Sequence, residues 1–545
     1  MPRFPARLLI AVTSGIALAL TGCGKVDNGG SPPPQQGGST NNADTRPVKA
    51  GGTLRVALDS EPDKLDPTVS RTLVGTQILH AICDPLYDIN EKLELVPRLA
   101  AALPETSPDG LTVTIKIRTG LKFADGTVMD ANAVKISMDR HRTMEGTQRK
   151  SEIGPVTEVT VQDPATVQIH LSKPYTPLAS QLTDRVGMVM SPTQIAAKGA
   201  DFGTAPVCIG PFKFLTRVAQ DRTEVVKDPN YFDAAKVKLD KIIFKTIADT
   251  NTRFTNLQSG DIDVQLTVSP INVEQLKSNS NLRLLTQDSL GYQGITINLA
   301  NANGVGKDPG TLAAQFASPV SADARVRQAL SMSIDREALV RTVWRNVYKP
   351  ACGPIAKASP LSSDATEACP KHDPAAAKKL LADAGVPTPV KVSLMIINDP
   401  DARRLGEAIK SMAAEGGFDI TLNPTEFASS LDIQDTGRYQ MFRIGWSGRI
   451  DADGNVSNFF TTRGSQNATG YSNPDVDKWL DEARSIQDVS KRRDLYGKVI
   501  TQIQKDNPII YLYRTANLIG LSNKVGHVVV YADYTMHFDT AGFVE

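Results

Sequence analysis

Two short motifs in the sequence resemble the active-site loops of enzymes, but neither has the spacing that the chemistry requires. Residues 445–448 read Gly-Trp-Ser-Gly, whereas a nucleophile elbow has one more residue between the serine and the second glycine. Residues 303–308 read Asn-Gly-Val-Gly-Lys-Asp, whereas a phosphate-binding loop has an earlier glycine and places serine or threonine after the lysine. The carboxylate of Asp308 would also repel phosphates. These motifs therefore predict neither acyl transfer nor nucleotide binding.

The residues that could bind a metal ion also lack the spacing of a known metal site. Asp451, Asp453 and Asn455 resemble the first ligands of a calcium-binding EF-hand loop, but the later glycine and glutamate ligand positions are not matched. The six histidines are scattered without an HExxH motif, and the cysteines form no CxxC motif. We therefore predict neither a metal site nor a cofactor, and the lack of a catalytic constellation favours binding over catalysis.

The composition is that of a water-soluble globular protein, with 41% hydrophobic and 22% charged residues in a chain of 545. Lys and Arg total 60 and Asp and Glu total 59, which leaves a formal net charge of +1. Nucleic-acid binding needs a basic surface that neutralises phosphates, so we expect no nucleic-acid partner. After the first segment, no stretch has the roughly 20 consecutive apolar residues that span a bilayer.

The amino-terminal segment predicts export and lipid attachment. Arg3 and Arg7 precede a mostly apolar run, which is the arrangement of a secretory signal peptide, here residues 1–22. Residues 20–23 read Leu-Thr-Gly-Cys, which resembles a bacterial lipobox and marks Cys23 as the lipidated first residue of the mature chain.

The segment that follows predicts a flexible tether. Residues 23–50 are rich in Pro, Gly, Ser, Thr, Asn and Gln, and such a composition cannot bury enough apolar surface to fold. Acyl chains on Cys23 and this tether would hold a folded domain at the extracytoplasmic face of the bacterial cell membrane, in the periplasm or cell envelope.

Four cysteines follow the lipidated one, and an exported domain can form disulfides. Cys352 and Cys369 lie 17 positions apart, and closing a loop of that size should stabilise the fold by about 3 kcal/mol. We favour this pair, which leaves Cys83 to bond Cys208. Four cysteines allow three pairings, and their spacing does not decide among them.

Strand and helix patterns are mixed along the mature chain and predict an α/β fold. Residues 111–118 alternate between apolar and polar side chains, as in a half-buried β-strand. Asp373 and Pro374 are suited to begin a helix and Gly385 to end it. Residues 327–343 carry apolar side chains at helical spacing and predict one further helix.

Six motifs occur in a fixed order along the chain. They are residues 62–67 (PDKLDP), 83–87 (CDPLY), 109–127 (DGLTVTIKIRTGLKFADGT), 206–214 (PVCIGPFKF), 323–336 (DARVRQALSMSIDR) and 373–385 (DPAAAKKLLADAG). Together they resemble the extracytoplasmic solute-binding proteins of peptide-type ABC importers, the dipeptide, oligopeptide and nickel group called bacterial solute-binding protein family 5. The resemblance runs from about residue 51 to the C-terminus.

This resemblance implies a two-lobed periplasmic-binding-protein fold of type II, the large peptide-binding class with an extra subdomain. The second lobe is inserted into the first and closes over a ligand by hinge motion. Residues 51–293 and 515–545 would form lobe I, with the extra subdomain at about 96–205, and residues 294–514 would form lobe II.

The resemblance also implies a ligand site, although the sequence departs from the family pattern there. Peptide-binding members have a Trp-x-x-Asp element whose acid contacts the amino terminus of the ligand. Trp446 matches the tryptophan, but Arg449 stands where the aspartate is expected. Asp451 or Asp453 could bind the amine instead, or Arg449 could bind a carboxylate. Alternatively, Arg449 pairs with one of these acids on the surface, and Trp446 is a core residue.

Other residues of the expected site come from the same loop and from the other lobe. Ser447 and Gly448 belong to the loop, and Arg71 and Thr72 follow a motif that lies near the ligand in relatives. Family geometry also places Cys208 beside the expected pocket, which supports a disulfide with Cys83 near the cleft.

The implied function is capture of short peptides and their delivery to the permease and ATPase subunits of an ABC importer. We expect a monomer attached to the membrane by its lipid, without enzymatic activity. The alternatives are the same fold with a haem, nickel-chelate, glycan or siderophore ligand, and an extracytoplasmic peptidase.

Overall fold

The computed structural model describes residues 44–90 and 93–545. The predicted signal peptide, the predicted lipidation site Cys23 and most of the predicted tether lie outside the described residues. The end of the tether range is described, and there Val48–Lys49 form a strand that pairs with Phe543 and Val544, so the folded part begins before residue 51. Among the helices of the described ranges, none is both long enough and apolar enough to cross a membrane.

The β-strands are short and are distributed over the whole described chain. In chain order they are β1 Val48–Lys49, β2 Thr53–Leu58, β3 Tyr87–Ile89, β4 Leu95–Pro97, β5 Glu105–Thr106, β6 Thr112–Lys116, β7 Val156–Asp163, β8 Thr166–Leu171, β9 Phe212–Val218, β10 Arg222–Lys227, β11 Lys241–Thr246, β12 Val264–Gln265, β13 Leu282–Asp288, β14 Tyr292–Ile297, β15 Lys349–Pro350, β16 Val390–Ile397, β17 Phe418–Thr425, β18 Met441–Trp446, β19 Ile509–Arg514, β20 Ala516–Ser522, β21 Val525–Gly526, β22 Val529–Val530, β23 Met536–His537 and β24 Gly542–Val544.

The α-helices alternate with these strands. They are α1 Leu73–Ile82, α2 Ala131–Thr143, α3 Lys150–Ile153, α4 Leu178–Gln181, α5 Pro192–Lys198, α6 Thr250–Ser259, α7 Val273–Ser278, α8 Pro319–Ala322, α9 Ala324–Met332, α10 Arg336–Trp344, α11 Asp364–Glu367, α12 Pro374–Asp383, α13 Pro400–Glu415, α14 Phe427–Asp435, α15 Asp453–Phe460, α16 Pro474–Ser485 and α17 Val489–Asp506. The 3₁₀-helices are Arg185–Gly187, Gly199–Thr204 and Pro270–Asn272. The mixed α/β class predicted from the sequence is confirmed.

Two large sheets organise the chain. A seven-stranded sheet has the order β13-β20-β12-β2-β11-β10-β9, and a six-stranded sheet has the order β15-β19-β14-β18-β16-β17. We call residues 44–290 and 515–545, which contain the first sheet, lobe I, and residues 291–514, which contain the second sheet, lobe II. The six-stranded sheet begins at Tyr292, two residues before the predicted start of lobe II. That the lobes are separately moving bodies stays a prediction.

Smaller sheets complete lobe I. A four-stranded antiparallel sheet, β5-β6-β8-β7, lies within the range predicted as the extra subdomain. The remaining strands form a three-stranded sheet, β1-β24-β21, and the pairs β22-β23 and β3-β4. Several central strands of the large sheets are buried over most of their length, as strands β19 and β20 show with five buried residues each. Such burial is typical of strands that are covered on both faces.

Local sequence signals set the element boundaries. The predicted strand at residues 111–118 is β6, and the predicted helix at 373–385 is α12, whose first turn is capped by the Asp373 carboxylate accepting from the Ala376 amide at 2.8 Å. The prediction of a single helix over residues 327–343 was wrong, since the structure has two helices there, α9 and α10. The Asp335 carboxylate accepts from the Ala338 amide at 2.9 Å and so caps a new helix.

Both favoured cysteine pairs are disulfide-bonded in the structure. Cys83 bonds Cys208 across 125 positions of sequence, and Cys352 bonds Cys369 across 17. The first bond ties the end of α1 to the segment before β9, and the second closes a loop on the surface of lobe II.

The loop lengths predict unequal contributions of the two disulfides to stability. In the chain-entropy model, closing the longer loop stabilises by about 5 kcal/mol and closing the shorter one by about 3 kcal/mol. We therefore expect Cys83→Ala/Cys208→Ala to lower the free energy of unfolding more than Cys352→Ala/Cys369→Ala, measured by denaturant titration. An equal or reversed order would contradict this expectation.

Candidate functional site

A cavity of about 350 Å³ lies between the two lobes and takes side chains from both. Its volume is near the lower end of the range found for small-ligand pockets. The charged residues of the lining are Asp59, Arg71, Arg253, Asp399, Asp401 and Arg443. The aromatic residues of the lining are Tyr292, Trp344, Tyr348, Phe427, Trp446, Phe459, Tyr513 and Tyr534. An aromatic surface with a few charges on both sides is suited to a small charged ligand.

Trp446 lines this cavity and is held by contacts around its ring. It ends strand β18 and lies opposite Tyr292 in the β14–β18 pair. The indole N–H donates to the Asn455 side-chain oxygen at 2.9 Å. The ring of Phe459 packs edge-on with centroids 5.0 Å apart. The structure therefore fixes the orientation of the indole before any ligand arrives.

Gly448, another predicted site residue, shapes the backbone and does not line the cavity. Its φ of +95° is unfavourable for other residues, and a Cβ there would lie 2.5 Å from the carbonyl carbon of Leu290. Gly291 is equally constrained, because its Cβ would lie 2.0 Å from the Trp446 carbonyl oxygen. These close approaches bring the Ser447 side chain to the cavity wall.

Arg449 does not pair with Asp451 or Asp453, in contrast to the surface alternative considered from the sequence. Its guanidinium lies 4.4 Å from the centroid of the Trp446 ring and makes an ion pair of 2.8 Å with Asp184 of lobe I. It reaches a small secondary cavity of about 20 Å³ between the lobes but not the main cavity.

The carboxylates of Asp451 and Asp453 are likewise bound within the protein. Asp451 forms a bidentate pair with Arg492, with a shortest distance of 2.7 Å. Asp453 is 1% exposed, pairs with Arg484 at 2.7 Å and accepts a hydrogen bond from Ser457. Neither acid is among the residues that line the main cavity. These pairings could not be predicted from the sequence of the loop, because both arginines lie on later helices, α16 and α17.

Arg71 and Thr72 enter the cavity from a loop that one carboxylate organises. Asp63 accepts hydrogen bonds from the Arg71 amide at 2.7 Å and from the hydroxyls of Ser70 and Thr72 at 3.2 and 2.7 Å. The Thr72 hydroxyl also caps helix α1. The Arg71 guanidinium reaches across to lobe II and pairs with Asp435, with one contact of 2.9 Å.

Arg443 is one of the charged cavity residues that sequence reasoning missed, together with Asp59, Arg253, Asp399 and Asp401. It lies on β18 and is buried, and its guanidinium donates to the Gln293 side-chain oxygen at 2.7 Å. Among the described residues, no carboxylate lies within ion-pair distance of it, and its Nε has no hydrogen-bond partner. The available signal was an arginine in the otherwise apolar strand at residues 441–446.

Two acids of the cavity have no guanidinium partner within the described residues. Asp59 accepts a hydrogen bond from the Thr267 hydroxyl at 3.0 Å. Asp399 caps helix α13 with one carboxylate oxygen, while the other has no partner in the described structure. Burial and the nearby charge of Asp401 raise the pKa of Asp399. The cavity therefore offers both cationic and anionic groups to a ligand.

Comparison with known proteins identifies the family. Residues 94–467 match the family described as bacterial extracellular solute-binding proteins, family 5 middle, which is more than half of the chain. The chain belongs to this family. The family resemblance read from the sequence motifs is thereby confirmed. Because such proteins bind solutes for transport, membership supports the expectation that this solute-binding protein is not an enzyme.

Curated relatives match this solute-binding protein over most of its length. A glutathione-binding protein of Pectobacterium atrosepticum is 27% identical over 514 residues, which cover 92% of this chain and 96% of the relative. A glutathione-binding protein of Salmonella typhi is 26% identical over 91% of this chain and 95% of its own.

Solved structures confirm the predicted fold class, which is that of the type II periplasmic binding proteins. The PBP AgaA of A. tumefaciens R10 in complex with agropinic acid has a TM-score of 0.79 and 25% identity, over 90% of this chain and 96% of its own. The oligopeptide-binding protein AppA of Bacillus subtilis has a TM-score of 0.81 and 20% identity, over 92% of this chain and 100% of its own.

The structure predicts that Asp451 contributes to stability. Replacing it in Asp451→Asn leaves the charge of Arg492, which is 6% exposed, without its carboxylate. We expect a loss of roughly 3 kcal/mol in the free energy of unfolding, measured by denaturant titration. Asp475→Asn, at an exposed position on the first turn of α16, serves as a control that should lose much less. Equal stabilities of the two variants would contradict a structural role of Asp451.

Proposed function

We propose that this protein is a lipid-anchored receptor that captures short peptides or peptide-like zwitterions outside the cytoplasmic membrane. It would deliver them to the permease and ATPase subunits of an ABC importer. The family supports solute capture for transport, and the lipobox at Cys23 and the tether composition of the residues that follow it, up to strand β1, support the anchor. The proposal about the ligand rests on the cavity, and above all on Arg443.

The burial of Arg443 without a carboxylate partner among the described residues is the observation that carries the proposal. A buried cation without a carboxylate costs free energy, and an incoming carboxylate would compensate that cost through charge-assisted hydrogen bonds. A guanidinium can bind a carboxylate with two parallel hydrogen bonds, so the C-terminus of a peptide suits Arg443. The side-chain oxygen of Gln293 orients the guanidinium from one side.

The opposite charge of the ligand would face Asp59 or Asp399. Both acids line the cavity, and neither has an arginine or lysine partner among the described residues. They replace Asp451 and Asp453 in this proposal, because those two acids are already paired with Arg492 and Arg484. A zwitterion with its charges apart would therefore satisfy groups of both signs.

The size of the cavity and the relatives support a short ligand. A volume of about 350 Å³ is small among ligand pockets and favours a peptide of a few residues. The curated relatives are named as glutathione-binding proteins, and glutathione is a small peptide with free carboxylates. Agropinic acid, the ligand of AgaA, is by its name also an acid. Among the described residues, no cluster of potential metal ligands favours direct metal binding.

Replacement of Arg443 tests this proposal through the carboxylate of the ligand. We expect Arg443→Gln to weaken a tripeptide with a free C-terminus roughly 100-fold, because the neutral amide cannot neutralise the carboxylate. The C-terminally amidated tripeptide, weak already with the unaltered protein, should lose much less. Isothermal titration calorimetry with both peptides measures the difference.

Two controls separate this effect from damage to the fold. Arg438→Gln removes an exposed arginine near the same strand and should leave both affinities unchanged. Arg443→Gln should also keep or raise the melting temperature of the ligand-free protein, because it removes an uncompensated buried charge. Equal weakening of the free and the amidated peptide would overturn the role of Arg443.

A further inference from the structure

Two ion pairs link the lobes beside the cavity. Arg449 of lobe II pairs with Asp184 of lobe I at 2.8 Å, and Arg71 of lobe I pairs with Asp435 of lobe II. Arg71, Asp184 and Arg449 all border the same small cavity, so the two pairs are neighbours. Its volume of about 20 Å³ has room for about one water molecule.

Both pairs are partly withdrawn from solvent, which strengthens them relative to surface pairs. The side chains of Arg449 and Asp184 are 14% and 11% exposed, and those of Arg71 and Asp435 are 18% and 31% exposed. Charges at such positions are less screened by salt and water than fully exposed charges. Two further interlobe pairs should contribute little because they are exposed. Lys173 and Asp481 are 45% and 53% exposed, and Lys349 and Asp288 are 69% and 57% exposed.

Arg449 is fixed in position for this contact. Its amide donates to the Asn455 side-chain oxygen at 2.7 Å, and the same Asn455 oxygen accepts from the Trp446 indole. The guanidinium stacks on the indole ring and donates to the Gly448 carbonyl at 2.8 Å. Its conformational freedom is therefore already low before it meets Asp184, which reduces the entropic cost of the ion pair.

Separation of the lobes would break both ion pairs. Asp184 would keep Arg185 of its own lobe, at 3.3 Å, but Arg449 would lose its carboxylate. Although burial alone would raise it, the neighbouring arginines, Arg185 and Arg449 foremost, hold the pKa of Asp184 well below its ordinary value. Asp184 therefore stays charged over the physiological pH range.

We propose that the pairs Arg449–Asp184 and Arg71–Asp435 form an interlobe latch that holds the cleft closed in the absence of a ligand. The proposal rests on the proposed function, through the hinge motion that the family resemblance implies, but not on the identity of the ligand. The latch stabilises the closed arrangement in the same way whichever ligand is enclosed, so closure does not depend on particular ligand side chains. Discrimination between ligands is then left to groups such as Arg443 that face the cavity.

Small-angle X-ray scattering of the ligand-free chain from residue 24 onward tests the latch. The described residues all belong to one compact unit. Ligand is removed by unfolding in guanidinium and refolding with the disulfides intact. We expect the profile of the unaltered protein to fit the closed structure. The double variant Arg449→Gln/Asp435→Asn should have a larger radius of gyration, because removing each pair raises the open-to-closed ratio on the order of tenfold.

Lys173→Gln is the matched control, since it removes an interlobe pair that is exposed to solvent. It should leave the radius of gyration unchanged. Circular dichroism establishes that each variant is folded, and the single variants Arg449→Gln and Asp435→Asn replace the double variant if it does not refold. An open profile for the unaltered protein, or the same radius for all folded variants, would overturn the latch. Because no ligand is added, neither result decides which ligand the cavity binds.

Discussion

The neutralisation of charge between two sheets is the constraint on which the site depends. A charged side chain withdrawn from water is costly unless it is paired, and most charges in this region are paired within the chain. Asp451 and Asp453 have their arginines, and Arg449 has Asp184. Arg443 is a buried cation of the cavity lining for which the described residues supply no carboxylate, and a neutral amide orients it. Arg253 is likewise buried without an ion pair among the described residues, but it donates to the carbonyls of Ile247 and Ala248. The structure therefore leaves charged groups, Arg443 foremost, for a ligand to neutralise.

One arginine fixes the chain crossings between the lobes. The Arg514 guanidinium, at the end of β19, donates to the carbonyls of Leu290 and Gly291 at 3.1 and 2.6 Å. It also donates to the carbonyls of Gly353 and Ile355 at 3.2 and 2.9 Å. One side chain thus joins both connections between the lobes to the segment near the second disulfide. Strand β14 begins next to these contacts, and strand β19 ends at them.

Much of the architecture could be predicted from the sequence because its signals are local or family-wide. The cap at Asp373 and the alternation at residues 111–118 each predicted an element that the structure contains, and the ordered motifs predicted the family. The break between α9 and α10 was missed although Asp335 is a good helix cap, because the apolar stripe continues across it.

The site was harder to predict because its pairings join residues that are distant in sequence. Spacing within residues 446–455 could not show that Asp451 would meet Arg492, or that Arg449 would cross to Asp184. Arg443 matters because no carboxylate of the described residues lies within ion-pair distance of it. Only the folded structure can show this. The lobe boundaries, the lipid anchor and the peptide ligand stay predictions.

The central claim is that the cavity captures a short peptide with a free carboxylate. Native mass spectrometry of the chain from residue 24 onward, purified from cells grown in rich medium, tests it most directly. The account predicts adducts that release short peptides with free C-termini on denaturation, and fewer adducts on the Arg443→Gln variant. A single discrete adduct without a carboxylate, or a haem absorbance, would contradict it.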